Sequence, residues 1–338
     1  MDMKELRQLG KEKFGKACRM CPICDGRACA GEMPGAGGVG TGQAFRNNII
    51  ALSAVQLRQR IIHKVHMPST EFTLWGKKMT MPILAAPIGG IAFNWNNYIT
   101  EDGYAQAVIN GCKNAGSLGM VGDGKLPEIY QGGLNHILEA GGWGIPTIKP
   151  RPNEQIIALA KQAEDVGALA IAIDVDAAAL INMTVSGQKV GPKTYEELVD
   201  LKANIKLPII IKGIMDVQDA VMCAKAGIDA IVVSNHGGRV LDHTPGTAEV
   251  LPGIAAEVGK TITIFADGGI RTGFDVLKML ALGADAVLVG RPVTQAGAGG
   301  AEGITCLMQH LRSELEAAMI MTGCQDLANI GEQVIYKK

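Results

Sequence analysis

The sequence predicts a closed (β/α)8 TIM barrel with a short N-terminal helical and Cys-rich extension. From about residue 80, eight short β-prone apolar runs alternate with longer stretches of helical period. The runs are nearly continuous in apolar residues, the pattern of strands buried on both faces of a parallel sheet. Most of them end in charged or polar residues, which a barrel gathers at its C-terminal mouth. An open, doubly wound sheet shares the strand–helix rhythm and stands as the alternative.

Residues 1–80 read as the extension and 81–338 as the barrel. A helix is predicted over 3–16, then a Cys- and Gly-rich loop to Gly42, then a second helix over 48–63. This part holds too little apolar periodicity for a core of its own. The first four strand runs are 82–89 (PILAAPIG), 117–122 (SLGMVG), 144–150 (GIPTIKP) and 168–176 (ALAIAIDVD). The second four are 207–214 (LPIIIKGI), 230–237 (AIVVSNHG), 263–270 (TIFADGGI) and 286–292 (AVLVGRP). Amphipathic stretches such as 154–166 and 274–282 supply helices between them, and 301–321 reads as one long closing helix.

Hydrophobic residues make up 47% of the 338 and charged residues 19%, so a large core can form and disorder is not expected. A net charge of −1 gives no case for nucleic-acid binding, which needs a basic surface. No apolar leader opens the chain and no run is long enough to span a bilayer, so a cytoplasmic protein off the membrane is expected. A disulfide scaffold does not suit such a chain, and its eight cysteines are read as reduced.

The strand ends carry the chemistry. The fourth run ends in Asp174 and Asp176, the fifth in Lys212, and the sixth in Ser234, Asn235, His236, Gly237, Gly238 and Arg239. The seventh ends in Asp267, Gly268, Gly269, Ile270 and Arg271, the eighth in Gly290 and Arg291. Loops after strands 7 and 8 often bind phosphate in barrels, and small residues with two guanidiniums suit that task. Two turns with solvated arginines are the plainer alternative. His236 suits a proton acceptor near neutral pH, and Arg239 suits a planar carboxylate. Together they describe a site that binds a carboxylic acid and removes a proton beside it. Lys212 ends a buried strand, where an unpaired ammonium is costly. A bound anion or anionic cofactor would explain it.

The stretch from residue 207 to 292 resembles the FMN-dependent α-hydroxy-acid oxidases and dehydrogenases, a family that includes glycolate and lactate oxidases. The strings KGI, SNHGGRVLDHTPGTAEVLPGI and ADGGIRTGFDVLKMLALGADAVLVGRP carry the resemblance. It implies FMN as cofactor and His236 as the base acting while the Cα hydrogen passes to flavin. It implies Arg239 at the substrate carboxylate, Asp176 beside His236, and Lys212 at the flavin N1–O2 edge. Pro87, Ile88, Gly89 and Ser234 would contact the ring system, with Asp174 also placed at the cofactor. Asp267 would meet the ribityl chain, and Gly268, Gly269, Arg271, Gly290 and Arg291 would surround the phosphate. A homotetramer is implied too.

Several family features are missing. No tyrosine occurs before Tyr98, and Lys149 stands near the place of a second family tyrosine. Asp174 replaces a threonine, and no arginine occurs over 177–183, in a loop that reads as short. The substrate pocket is therefore rebuilt around a retained flavin site. Cys18, Cys21, Cys24 and Cys29 follow C-x2-C-x2-C-x4-C, a spacing that suits an iron–sulfur cluster or zinc. Reduced thiols in a loop are the alternative. The leading expectation is oxidation of a small 2-hydroxy carboxylate, with an unidentified electron acceptor. An NAD(P)H-linked or isomerase-like FMN barrel and a non-catalytic flavin or thiol sensor are the rivals.

Overall fold

The computed structural model describes residues 1–32, 35–124, 126–179 and 187–337. Part of the loop after Asp176, which reads as short, lies outside the described residues. Helix α1 (Met3–Lys13) opens with a reciprocal capping box between Asp2 and Glu5. It ends short of the predicted residue 16, with Phe14 as its cap and Gly15 at φ 53°. Helix α2 covers Gln43–Ala54, not 48–63. Gly42, at φ 70°, turns the chain into the helix early. Beyond Ala54 the tail overrides the helical pattern. Leu57 bridges Ile335, Arg58 N donates to Val334 O at 2.7 Å, and Tyr336 N donates to Gln56 O at 2.8 Å.

A hairpin follows that the sequence did not reveal. Its strands, β1 (Phe72–Leu74) and β2 (Lys77–Met79), are antiparallel, and Trp75 and Gly76 turn the chain at positive φ. The barrel strands come next. They are β3 (Ile83–Ile88), β4 (Leu118–Val121), β5 (Ile145–Ile148), β6 (Ile171–Asp174), β7 (Ile209–Ile214), β8 (Ala230–Val233), β9 (Thr263–Ala266) and β10 (Ala286–Val289). All pair in parallel in that order, and β10 closes on β3. That closure excludes the open sheet. Each strand lies inside one predicted run, and most stop before its polar end, because those residues leave the sheet at the mouth.

Helices α3 (Glu101–Asn114), α4 (Pro127–Glu139), α5 (Asn153–Asp165), α6 (Tyr195–Asn204), α7 (Val217–Lys225), α8 (Thr247–Val258) and α9 (Gly273–Ala281) connect the strands. Helix α10 (Gly300–Thr322) follows β10. Strand residues alternate between two cores. Ile83, Ile171 and Ile231 pack outward with the helices, while Leu84, Leu118, Met120, Phe265 and Leu288 fill the barrel. Leu74 and Met79 of the hairpin join the inner cluster and plug the floor. Fully burying such a side chain stabilises by about 1.5–3 kcal/mol, which holds the short hairpin in place. Among the described residues, no helix is long and apolar enough to cross a membrane.

Candidate active site

At the mouth, β6 and β7 run side by side with Asp174 level with Lys212. Both are buried. The Lys212 ammonium donates to Asp174 Oδ1 at 2.9 Å, and Lys149, just past β5, donates to Oδ2 at 2.5 Å. Burial opposes the Asp174 charge, but Lys149 and Lys212 outweigh it and hold the carboxyl well below its usual range. For Lys212 burial works against the charge, and Asp174, Asp176 and Asp267 raise its pKa above the ordinary value. Both groups therefore stay charged. The β7–β8 register shifts between Lys212 and Ile214, and Gly213 sits there at φ 107°. A Cβ on Gly213 would lie 2.4 Å from Asp176 Cβ, so glycine lets Asp176 close in.

His236 leaves β8 with φ 56°, a strained setting for a side chain with a Cβ. Three bonds hold the turn. Its N–H donates to Ser234 Oγ at 3.0 Å, Ser234 Oγ donates to Asp267 Oδ2 at 2.8 Å, and Asn235 pairs with Asn48 of α2. His236 Nδ1 lies 3.0 Å from Asp176 Oδ1 and 3.6 Å from Asp174 Oδ1. With Nδ1 donating to a carboxylate, Nε2 is the nitrogen left to accept a proton. Asp174, Asp176 and His236 also form the one set of potential metal ligands within 4.8 Å of one another among the described residues. Two ammoniums on Asp174 make it a poor cation site.

Three arginines gather around the loop ahead of α2. Arg239 Nη1 donates to Gly35 O, and Nη2 donates to Asn94 Oδ1 at 2.8 Å. Arg291 donates to Ala36 O at 2.7 Å and Gly237 O at 2.9 Å, with its guanidinium 3.8 Å from the Phe45 ring centre. Arg271 Nη2 donates to Cys24 O at 3.2 Å and Cys24 Sγ at 3.3 Å. Among the described residues none of the three is ion-paired. Burial pushes Arg239 down to about 10. Burial, with Arg239 and Arg271 alongside, pushes Arg291 down to about 9. Such a group is arranged for an anion.

These parts enclose a cavity of about 480 Å³. Pro87, Ile88, Gly89, Lys149, Asp174, Lys212, His236, Arg239, Asp267, Gly268, Gly269, Arg271, Gly290 and Arg291 all line it. Ser234 and Asp176 stand behind the wall, Ser234 under Asp267 and Asp176 under His236. Sequence reasoning missed Asn94, Glu101 and Asp123 in the lining. Asp123 is bonded to Arg151 through both its oxygens, a buried ion pair beyond β4. It stands just past the second apolar run, so the strand-end rule applied to every run would have found it. Glu101 accepts from Gly90 N and Ala92 N at 3.1 Å each, and burial raises its pKa. Nothing in its helical sequence context signals that role.

An iron–sulfur cluster or zinc is expected from the sequence at Cys18, Cys21, Cys24 and Cys29, and the positions of the sulfurs do not by themselves indicate either. No three of these sulfurs come within 4.8 Å of one another, as ligands of a single ion would.

The comparisons with known proteins now bear on this arrangement. The family described as FMN-dependent dehydrogenase matches residues 35–189 and 181–337, almost the whole chain. The chain belongs to the FMN-dependent dehydrogenase family. An L-lactate oxidase of Lacticaseibacillus rhamnosus is 31% identical over 87% of this chain and 86% of its own. An L-lactate dehydrogenase of Pectobacterium atrosepticum is also 31% identical, over 87% and 89%. A crystal structure of mandelate oxidase with 3,3-difluoro-2-hydroxy-3-phenylpropionic acid superposes with a TM-score of 0.81 at 29% identity, covering 100% of this chain and 98% of that one. As an FMN-dependent dehydrogenase, the protein is a flavin oxidoreductase of the hydroxy-acid oxidase and dehydrogenase kind. Its cavity fits FMN on its own terms. Arg271 Nε and Asp267 Oδ1 are buried polar atoms without a partner among the described residues, and both residues line the cavity beside Arg291. A phosphate and a polyol chain supply what those atoms call for.

Proposed function

We propose that this enzyme oxidises a small 2-hydroxy carboxylate to the 2-oxo acid, with His236 as base and Arg239 as carboxylate anchor. One observation carries the reading. His236, oriented by Asp176, and Arg239, without an acidic partner among the described residues, share one cavity with the buried Lys212. Pro87, Ile88 and Gly89 would hold the flavin ring, Asp267 the ribityl chain, and Gly268, Gly269, Arg271, Gly290 and Arg291 the phosphate. When bound, FMN supplies the two-electron acceptor for the substrate's Cα hydrogen.

The chain does the rest. Arg239 fixes the carboxylate and so orients the hydroxyl toward His236. His236 Nε2 takes the hydroxyl proton, and Asp176 stabilises the imidazolium that forms. Lys212 holds a fixed positive charge at the cavity floor, pinned by Asp174. Ser234 positions Asp267 and the His236 backbone. Lys149 and Asp174 form the rebuilt side of the substrate pocket. A homo-oligomer would cover the exposed side chains Ile61, Ile62 and Met67, and sedimentation tests that.

The deciding experiment is anaerobic mixing of the holoenzyme with a panel of 2-hydroxy acids. Bleaching of the oxidised-flavin absorbance that is lost in His236→Ala and Arg239→Ala is the expected result. A flavin that stays oxidised with every acid and bleaches with NAD(P)H overturns the reading.

A further inference from the structure

The four N-terminal cysteines have no part in the hydroxy-acid chemistry, yet the fold brings them together. Met20, between Cys18 and Cys21, has φ 47°, and Gly26, after Cys24, has φ 81°. These two reversals curl the loop upon itself. Cys29 lies within electrostatic range of Cys24, Cys18 and Cys21, and Cys18 within range of Cys24 and Cys21. All four are partly buried. Their spacing, C-x2-C-x2-C-x4-C, and their separation beyond the reach of a single ion suit a polynuclear cluster, whose irons and sulfides lie between the thiolates.

Two of the sulfurs already accept hydrogen bonds. Arg271 donates to Cys24 Sγ at 3.3 Å and Gln295 donates to Cys18 Sγ at 3.3 Å. Bonds of this kind to ligand sulfurs tune iron–sulfur clusters. Cys21 and Cys24 line a second cavity of about 450 Å³, together with Arg7, Arg271 and Gln295. Asp275 is the one acid in its described lining, and its Oδ2 is taken by Arg271 N and Thr272. The balance of charge is positive, which offsets the negative charge of four thiolates around a cluster.

We propose that Cys18, Cys21, Cys24 and Cys29 ligate a four-iron, four-sulfide cluster beside the flavin cavity. Gly269 and Arg271 line both cavities, so the two sites share a wall. The cluster gives electrons a way out. Each turnover removes two electrons from the 2-hydroxy acid. A cluster takes one at a time, so two successive transfers to an external one-electron carrier protein complete the balance. This route rests on the proposed oxidation, but the cluster site does not.

The test uses the full chain isolated without oxygen. About four irons and about four acid-labile sulfides per chain are expected, with an EPR signal distinct from flavin after dithionite. Cys24→Ser loses the iron and the signal, whereas Cys306→Ser, outside the loop, keeps both. Flavin content reports folding of each variant, and the wild-type iron, sulfide and EPR values decide the matter if the serine variants do not fold. Full flavin with no iron or sulfide after reconstitution overturns the site. So does stoichiometric zinc without sulfide, or a stable disulfide among the four. A 2-hydroxy acid in place of dithionite should raise the same signal. A cluster that dithionite reduces and a flavin-bleaching acid does not would overturn the route alone, and an acid that bleaches nothing would point to failure of the oxidation reading instead.

Discussion

At the floor of the barrel, Leu74 and Met79 of the hairpin rest on Leu84, Leu118 and Leu288. At the mouth of the same barrel, Lys149 and Lys212 bond Asp174, and His236 Nδ1 lies 3.6 Å from it. The floor is held by non-directional burial, which tolerates exchange of one apolar side chain for another of similar volume. The mouth is held by directed bonds between charges, where loss of a single partner strands the rest. The same barrel is therefore held by different forces at its two ends, with the chemistry at the mouth alone, and substitutions can tell the ends apart.

The largest expected separation is His236→Ala. Turnover should fall by about 10²–10⁴-fold with flavin content and melting temperature near wild type, as read by steady-state kinetics on flavin-normalised enzyme. A melting temperature that collapses with activity would merge the two ends and break the contrast. Asp174→Asn comes second, because it leaves Lys149 and Lys212 buried without their acid. A loss of about 3–5 kcal/mol in denaturant unfolding is expected. Its pH dependence sharpens the point. The folded pKa of Asp174 is depressed, so its stabilisation is present above the ordinary carboxylate value of 3.8 and is lost as pH falls below it. The wild type should lose its advantage over Asp174→Asn across that acid range, and a gap unchanged down to strong acid would refute the assignment.

At the floor, Leu74→Ala should cost about 2–5 kcal/mol while turnover per flavin-loaded chain stays the same. Impaired turnover in fully folded, flavin-loaded Leu74→Ala would show that the plug shapes the mouth as well. The smallest effect is alkaline. Arg291 is pushed down to about 9, and a phosphate favours its charged form. FMN affinity should weaken by up to about tenfold per pH unit above that value, measured by flavin fluorescence on release. A flat profile through pH 9 to 11 would show that Arg291 keeps its charge across that range.

The barrel was legible because burial on both faces writes itself as unbroken apolar runs, and eight such runs with polar ends fit few folds besides a closed barrel. The hairpin was not, since strands of three residues are too short to show a period. Helix α2 was displaced because its far end is decided by Ile335 and Tyr336, hundreds of residues away, and local propensity yields to such contacts. In the site, residues at strand ends were visible by position. Asn94 and Glu101 were not, because they come from a helical turn and a helix start whose sequence pattern reports only amphipathicity. Ser234 was visible by the same rule, but its bonds to Asp267 and the His236 N–H were not. Adjacency to His236 in sequence does not say which side of the wall its hydroxyl faces.

The pairing of β3 with β10, and of residues 56–60 with the tail, also governs how the chain is born. During synthesis at roughly 5–20 residues per second, the first barrel strand waits on the order of ten seconds or more for its last neighbour to emerge. Until then Ile83 and Leu84 lack one edge partner, and the segment around Leu57 has nothing to pair with. A ribosome that stalls before β10 would leave an open sheet with two unpaired edges, a form prone to join another copy.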